Sequence, residues 1–211
     1  FPSPKAAEWA ADVFQQHGLR FLFVSGNHDW QHCNPGYPHT LEGPEMGSDA
    51  LRTQWCRHAL PALYEGRNPS YWSEDIGGLR FIGIDNSTRY ITPAQLAFFT
   101  SVAARTDGVD APPVVLLMHI PLWVDALMEE GRPDGGGKDG KSTLTAKHVV
   151  NGEPVDAEEA QQWRENAPAG TAEATRAFVE AVSKLPNLIA VLTGHIHDNN
   201  AHLLGNHGAV Q

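Results

Sequence analysis

Apolar residues occur along this chain in two kinds of pattern: short unbroken blocks, and longer stretches in which they recur at three and four residues. Phe21-Leu22-Phe23-Val24, Val114-Val115-Leu116-Leu117-Met118 and Leu188-Ile189-Ala190-Val191-Leu192 are of the first kind and predict buried strands. Ala6, Trp9, Ala10, Val13 and Phe14 are of the second, and the aromatic positions of the helices read most simply as core. Ser3 and Pro4 supply a cap and first turn before them and Gly18 a stop after them, so a helix is predicted in between. A further helix carrying Leu51, Trp55 and Leu60 is expected to start near Ser48. Tyr71 to Ile76 and Leu79 to Asp85 flank Gly77-Gly78, the two-residue turn chemistry of a β-hairpin. Thr92-Pro93-Ala94-Gln95 has the form of a capping box with proline at the first helical position. The helix it opens carries Leu96, Phe98, Phe99 and Val102 and leads to the strand before His119. Helical signal returns from Thr171 through Lys184. Strands alternating with helices in this way predict an α/β protein.

The stretches between these elements are as distinct as the elements. Residues 31 to 47, rich in Gly, Pro and His, read as a long loop. From Gly131 to Gly170 the pattern dissolves into Gly, Lys, Asp, Asn and Pro around Gly135-Gly136-Gly137, so a long flexible insertion is expected there. There is no internal repeat and no domain-scale linker. A chain of 211 residues, 41% apolar, is long enough to bury one sizeable core, and a single domain over 1–211 is expected.

The formal charge of −10 and the absence of a dense basic run argue against a nucleic-acid surface. A small phosphorylated substrate stays open, because bound divalent ions reverse the local field even in an acidic protein. Cys33 and Cys56 are too few for a disulfide scaffold and do not form a four-cysteine zinc site, although one disulfide between them stays open. No apolar run approaches the roughly 20 residues that span a bilayer, so a soluble chain without a membrane partner is expected. The start carries no signal-peptide pattern, yet Phe1 is not an initiator Met, and an upstream segment is expected to have been removed or left out. Compartment and oligomeric state are not encoded in these features.

Each of the three apolar blocks runs directly into a loop rich in metal-capable side chains. Phe21 to Val24 precedes Gly26-Asn27-His28-Asp29, Val114 to Met118 precedes His119-Ile120-Pro121, and Leu188 to Leu192 precedes Gly194-His195-Ile196-His197. The C-terminal ends of strands are where α/β proteins usually build sites. Asn27 offers a neutral carbonyl oxygen and His119, His195 and His197 offer imidazole nitrogens, a mixed set suited to Zn, Mn or Fe rather than to Ca. His195 and His197 are two apart: an extended strand would put them on one face, whereas a sharp loop lets them diverge toward two neighbouring ions. His28 adjoins Asn27 but is expected to point elsewhere, which would leave it free to donate a proton, while Asp29 either orients His28 or caps a helix or closes a turn.

Taken singly, each signal has a plainer reading: a surface histidine pair, a β-turn at Gly26-Asn27, and a satisfied core histidine at 119. Their shared order, each after an apolar block, favours the metal reading. His32 and His39 read as exposed loop residues rather than phosphate contacts. His58, His148, His202 and His207 carry no assigned role, and the partial echo Gly205-Asn206-His207 is a coincidence of composition. Asp85-Asn86 reads as the start of a turn rather than as a wall of the site.

Gly26-Asn27-His28-Asp29, Met118-His119-Ile120-Pro121 and Gly194-His195-Ile196-His197, in that order, resemble the third, fourth and fifth motifs of the calcineurin-like metallophosphoesterases, over residues 20 to 197. The resemblance implies a two-layer β sandwich flanked by helices with a dinuclear centre at one edge, its divalent ions being Mn, Fe or Zn. It implies that Asn27, His119 and His195 bind the second metal, that His197 binds the first, and that His28 is the general acid on the leaving group. Two ions roughly 3.5–4 Å apart would present a metal-bound hydroxide to phosphorus. The family's first two motifs, Asp-x-His and Gly-Asp-x-x-Asp, do not occur before Gly26, so the resemblance implies an N-terminally incomplete domain. Incomplete metal occupancy and an inactive isolated chain are then expected. The implied activity is metal-dependent phosphoester hydrolysis of a small phosphorylated substrate. Gly-Asn-His-Asp resembles cyclic-nucleotide phosphodiesterases and small-molecule phosphatases, which leaves a phosphodiesterase as the alternative to a phosphomonoesterase. A non-catalytic binding scaffold on the same fold is the alternative from a different class.

Overall fold

A computed structural model of the chain describes residues 4–26, 29, 61–87, 90–103, 111–122, 165, 167, 169–195, 203–204 and 209–210. The helix expected from Ser48, the 31–47 loop, both cysteines and nearly all of the 131–170 insertion lie outside the described residues.

Among the described residues the centre of the fold is one mixed six-stranded sheet. Its strands are β1 (Tyr71–Ile76), β2 (Leu79–Ile84), β3 (Val114–Leu117), β4 (Leu188–Leu192), β5 (Leu203–Leu204) and β6 (Ala209–Val210), in spatial order β1-β2-β3-β4-β6-β5. β1 and β2 form the expected antiparallel hairpin. Gly77 and Gly78 both have positive φ, 59° and 83°, as a two-residue type I′ turn requires, and they set the register Ile76↔Leu79. β2, β3, β4 and β6 run parallel, while β5 returns antiparallel to β6. Between β3 and β4 the register shifts after Val114, leaving Ile189 as an extra residue, a β-bulge.

Among the described residues two long helices lie in the crossovers: α3 (Pro93–Ala103) between β2 and β3, and α4 (Thr171–Lys184) between β3 and β4. Right-handed crossovers that advance in one direction across a sheet leave both helices on the same face. Phe99 of α3 and Phe178 of α4 meet edge to face at 4.8 Å over Ile82, Ile84, Val114, Leu116, Leu188 and Val191, which together form the core.

The capping box forms as read from the sequence: Thr92 N–H donates to Gln95 Oε1 at 2.8 Å and Gln95 N–H to Thr92 Oγ1 at 3.2 Å. Gln95 then reaches past the helix, its Nε2 donating to the carbonyls of Ser70 (3.0 Å) and Asp85 (2.6 Å), so the start of α3 is tied to the start of β1 and the end of β2. At the other end of α3, Arg80 Nη1 donates to Val102 O at 2.7 Å. The same guanidinium grips Asp75 through 2.7 and 2.8 Å bonds that hold the carboxyl below its usual range. The two helices are joined by Thr175, whose hydroxyl donates to Thr171 O and accepts from Ile91 N–H.

On the chain's N-terminal side, α1 (Pro4–Gln16) ends as expected at Gly18, φ 63°, with Leu19 N–H donating to Phe14 O at 2.8 Å. It packs near the four-residue helix α2 (Pro61–Tyr64). The aromatic positions expected in the core differ: among its described side chains Ala11 is buried, whereas Trp9 is 69% exposed and Phe14 38%.

A second correction concerns Phe21 to Val24, which does not form a strand. An apolar run specifies burial, but a strand also needs a neighbour to complete its ladder. Here the Trp72 indole, a side chain, donates to Phe23 O at 3.0 Å. Among the described residues no helix is long and apolar enough to cross a membrane.

Candidate metal centre

Because β2, β3 and β4 are parallel, the residues that follow them gather on one edge of the sheet: Asp85-Asn86, His119-Ile120 and Gly194-His195. The β3–β4 pairing persists past the strand ends, with Met118 N–H donating to Leu192 O and Gly194 N–H to His119 O, both at 3.0 Å. These bonds hold the two histidine loops side by side. The rings of His119 and His195 lie 4.8 Å apart at 78°, and His195 Nδ1 is 2.9 Å from His119 Nε2. His195 takes φ 68°, a left-handed backbone uncommon for a residue with a side chain. Strain of this kind concentrates at functional sites.

The first loop arrives from the other side. Its lead-in is pinned by Ser25 Oγ and Tyr64 Oη at 2.7 Å, by the Trp72 bond to Phe23 O, and by an edge-on contact of Phe23 with Tyr64 at 5.1 Å. Gly26 then lies against the His119 ring, so closely that a Cβ there would sit 2.9 Å from Cε1 and 3.0 Å from Nδ1. Only glycine permits this approach. The turn that follows is closed from both directions: Gly26 N–H donates to Asp29 Oδ2 at 2.7 Å and Asp29 N–H to Gly26 O at 3.1 Å. Asp29 therefore has the turn-closing role that its position after Asn27-His28 left open.

Gly26→Ala is expected to displace the His119 imidazole from its place beside His195 and to cost about 1–3 kcal/mol of stability, as overpacking at a filled site does. Urea midpoints together with imidazole NMR signals check this. An unchanged midpoint with unchanged His119 ring resonances would show the approach to be slack.

Of the residues singled out by sequence, the structure sets His119 and His195 in contact. Asn27, His28 and His197 lie outside the described residues, as do His32 and His39, although Gly26 and Asp29 bracket the first pair. Among the described residues no group of three or more His, Cys, Asp or Glu side chains comes within reach of one ion. The described pair nevertheless suits a metal. Imidazole nitrogens bound at about 2.0–2.1 Å to one ion stand about 2.9 Å apart when the ligands are at right angles and about 3.3 Å apart when tetrahedral. The observed 2.9 Å, which the two rings span as a hydrogen bond whose donor depends on the tautomer, equals the right-angle value.

Asn86 is the residue that sequence reading undervalued. Asp85 makes the expected turn, its Oδ1 accepting from Ser87 N–H at 2.9 Å, but Asn86, 6% exposed, turns to the neighbouring strand. Its Oδ1 accepts from the amides of His119 and Ile120, both at 3.0 Å, and its Nδ2 donates to Ile120 O at 2.8 Å. The available signal was an Asp-Asn pair ending a strand that leads, through one helix, to the strand carrying His119.

No family model matches this chain, and no curated protein matches it.

Proposed function

We propose that this chain carries part of the active site of a metal-dependent phosphoester hydrolase of the calcineurin-like metallophosphoesterase type, on a fold whose complete form is a two-layer β sandwich flanked by helices. The observation that supports this most is the juxtaposition of Gly26, His119 and His195, one residue from each of three loops whose sequences resemble that family's motifs in order. In this reading His119, His195 and Asn27 hold one divalent ion and His197 a second. Mn, Fe and Zn all suit such nitrogen and amide-oxygen donors. The ions, when bound, neutralise charge growing on the phosphoryl oxygens and lower the pKa of water. His28 as imidazolium donates its proton to the ester oxygen of the leaving group, and the Asp29 carboxylate next to it in sequence is held by the Gly26 amide.

The sheet face opposite α3 and α4 fits the two-layer reading, since Ile189, Leu192 and Val210 are 44%, 54% and 45% exposed there, an apolar stripe that a second layer would cover. On this reading a further carboxylate for the ions would come from the family motifs that do not occur before Gly26. Two cations without a shared anion repel each other, so the 211-residue chain is expected to hold one ion more tightly than two.

The test is an assay of the full-length gene product with p-nitrophenyl phosphate and bis(p-nitrophenyl) phosphate, in Mn, Zn and Co. Hydrolysis of at least one substrate is expected, abolished by chelation and restored by metal; the ratio of the two rates assigns monoester or diester preference. His28→Ala should lower turnover by about 10²–10⁴-fold with bound metal unchanged. Stoichiometric metal with no hydrolysis of either ester would favour a binding scaffold, and equal loss of metal and turnover in His28→Ala would refute the assignment of His28.

A further inference from the structure

We infer that Asn86 is the positioning residue of His119: its buried side-chain amide fixes the backbone from which the imidazole projects, and through it the metal affinity of the edge. The inference rests on the proposed role of His119 as a ligand.

The β2–β3 ladder pairs Arg80 with Val114 through Gly83 with Leu117 and then ends. The same offset carried past the strand ends places Asn86 opposite Ile120, where no backbone ladder remains. The Asn86 carboxamide takes its place. One oxygen receives two consecutive amides, His119 and Ile120, and the Nδ2 group returns a bond to Ile120 O, so three main-chain groups that leave the sheet at this point are satisfied by one side chain. His119 is thus held on both flanks, by Asn86 at its N–H and by Gly194 N–H at its carbonyl. A backbone fixed at both ends leaves the imidazole few directions, and the one it takes puts Nε2 at 2.9 Å from His195 Nδ1.

This differs from a general role in folding. A residue that merely stabilises the turn would lower global stability without changing the relation of the two rings. A residue that orients the ligand changes metal affinity and ring geometry even when stability is matched. Partners that orient metal ligands typically account for 10–100-fold in affinity.

The experiment compares wild type, Asn86→Ala, Asn86→Asp and Val182→Ala. The last is a core truncation in α4 distant from the loops and serves as the destabilised control. Asn86→Asp keeps an oxygen for both amides but replaces the donor to Ile120 O, so it is the conservative variant that keeps the test decisive where Asn86→Ala does not fold. Co(II) titration by absorbance gives affinity. Imidazole 15N–1H correlation and ring-to-ring NOEs on the metal-free protein give geometry, and urea unfolding gives stability. Asn86→Ala is expected to weaken Co(II) by about 10–100-fold and to lose the His119–His195 NOE, Asn86→Asp to fall between it and wild type, and Val182→Ala to keep wild-type affinity and NOE. Wild-type affinity and NOEs in Asn86→Ala, or in Asn86→Asp where the alanine variant does not fold, would overturn the inference. So would equal loss in Val182→Ala. If wild type itself binds no Co(II), the metal reading fails, while the metal-free NOE still decides whether Asn86 positions the ring.

Discussion

On the proposed reading, replacing His119 with alanine in a hydrolytically active form of the protein is expected to remove divalent-metal binding and phosphoester hydrolysis together while leaving the sheet in place. His119 meets both of the other loops: Gly26 rests against its ring, Gly194 N–H donates to its backbone carbonyl, and His195 Nδ1 meets its Nε2. Loss of a direct ligand should exceed the 10–100-fold associated with residues that only orient one, so a fall in affinity of more than about 100-fold is expected. The backbone bonds from Asn86 and Gly194 do not involve the His119 side chain, so stability should change by no more than about 1 kcal/mol. Calorimetric Zn titration, the phosphoester assay and urea unfolding on the same variant separate these effects. Near-wild-type Zn affinity in His119→Ala would end the metal assignment. His195→Gly is the companion variant: it removes the second imidazole yet suits the φ of 68° better than histidine does, so metal affinity should fall while stability holds or rises.

The largest expected effect on stability comes from Gly83→Ala. Gly83 lies directly across the hairpin from Trp72, whose indole lies over it so closely that a Cβ would fall 2.2 Å from Cε2 and 2.4 Å from Nε1. The ring has little freedom to move, because the Arg67 guanidinium stands 5.4 Å from its centre and is itself bonded to Glu74 at 3.0 Å. Displacing the indole also breaks its bond to Phe23 O, one of the attachments that deliver Gly26 to His119. Overpacking and a lost part-buried hydrogen bond together are expected to cost about 2–4 kcal/mol. The effect should be non-additive with Trp72→Leu, since the smaller side chain removes the collision. A double-mutant cycle in urea giving a coupling of at least about 1 kcal/mol supports this, and strict additivity contradicts it.

The elements legible from sequence were those whose signals are local. Thr92 and Gln95 are three residues apart and find each other wherever the helix forms, and Gly77-Gly78 carries its own turn geometry. The limits of α4, Thr171 and Lys184, follow from periodicity alone. Phe21 to Val24 was misread because an apolar block states that a segment is covered, not which backbone will pair with it. Trp9 was misread because the periodicity of a helix does not reveal whether anything meets its apolar face. At the site, motif order pointed to His119 and His195, whose contact spans 76 positions. The left-handed backbone of His195 and the reach of Asn86 across 34 positions had no local signature, because each depends on a neighbouring strand.

The extra residue at Ile189 shows how far from the edge the geometry of the edge is decided. Ahead of the bulge Val114 pairs with Leu188; beyond it Val115 pairs with Ala190, so the remainder of β4 is advanced by one position. At the unadvanced phase His119 would stand opposite Thr193, which has no imidazole beside it, and the Gly194 amide would be aligned with the wrong carbonyl. A single insertion at the start of β4 thus acts as a vernier between two loops, and a length change in that strand would separate the two rings without altering either histidine.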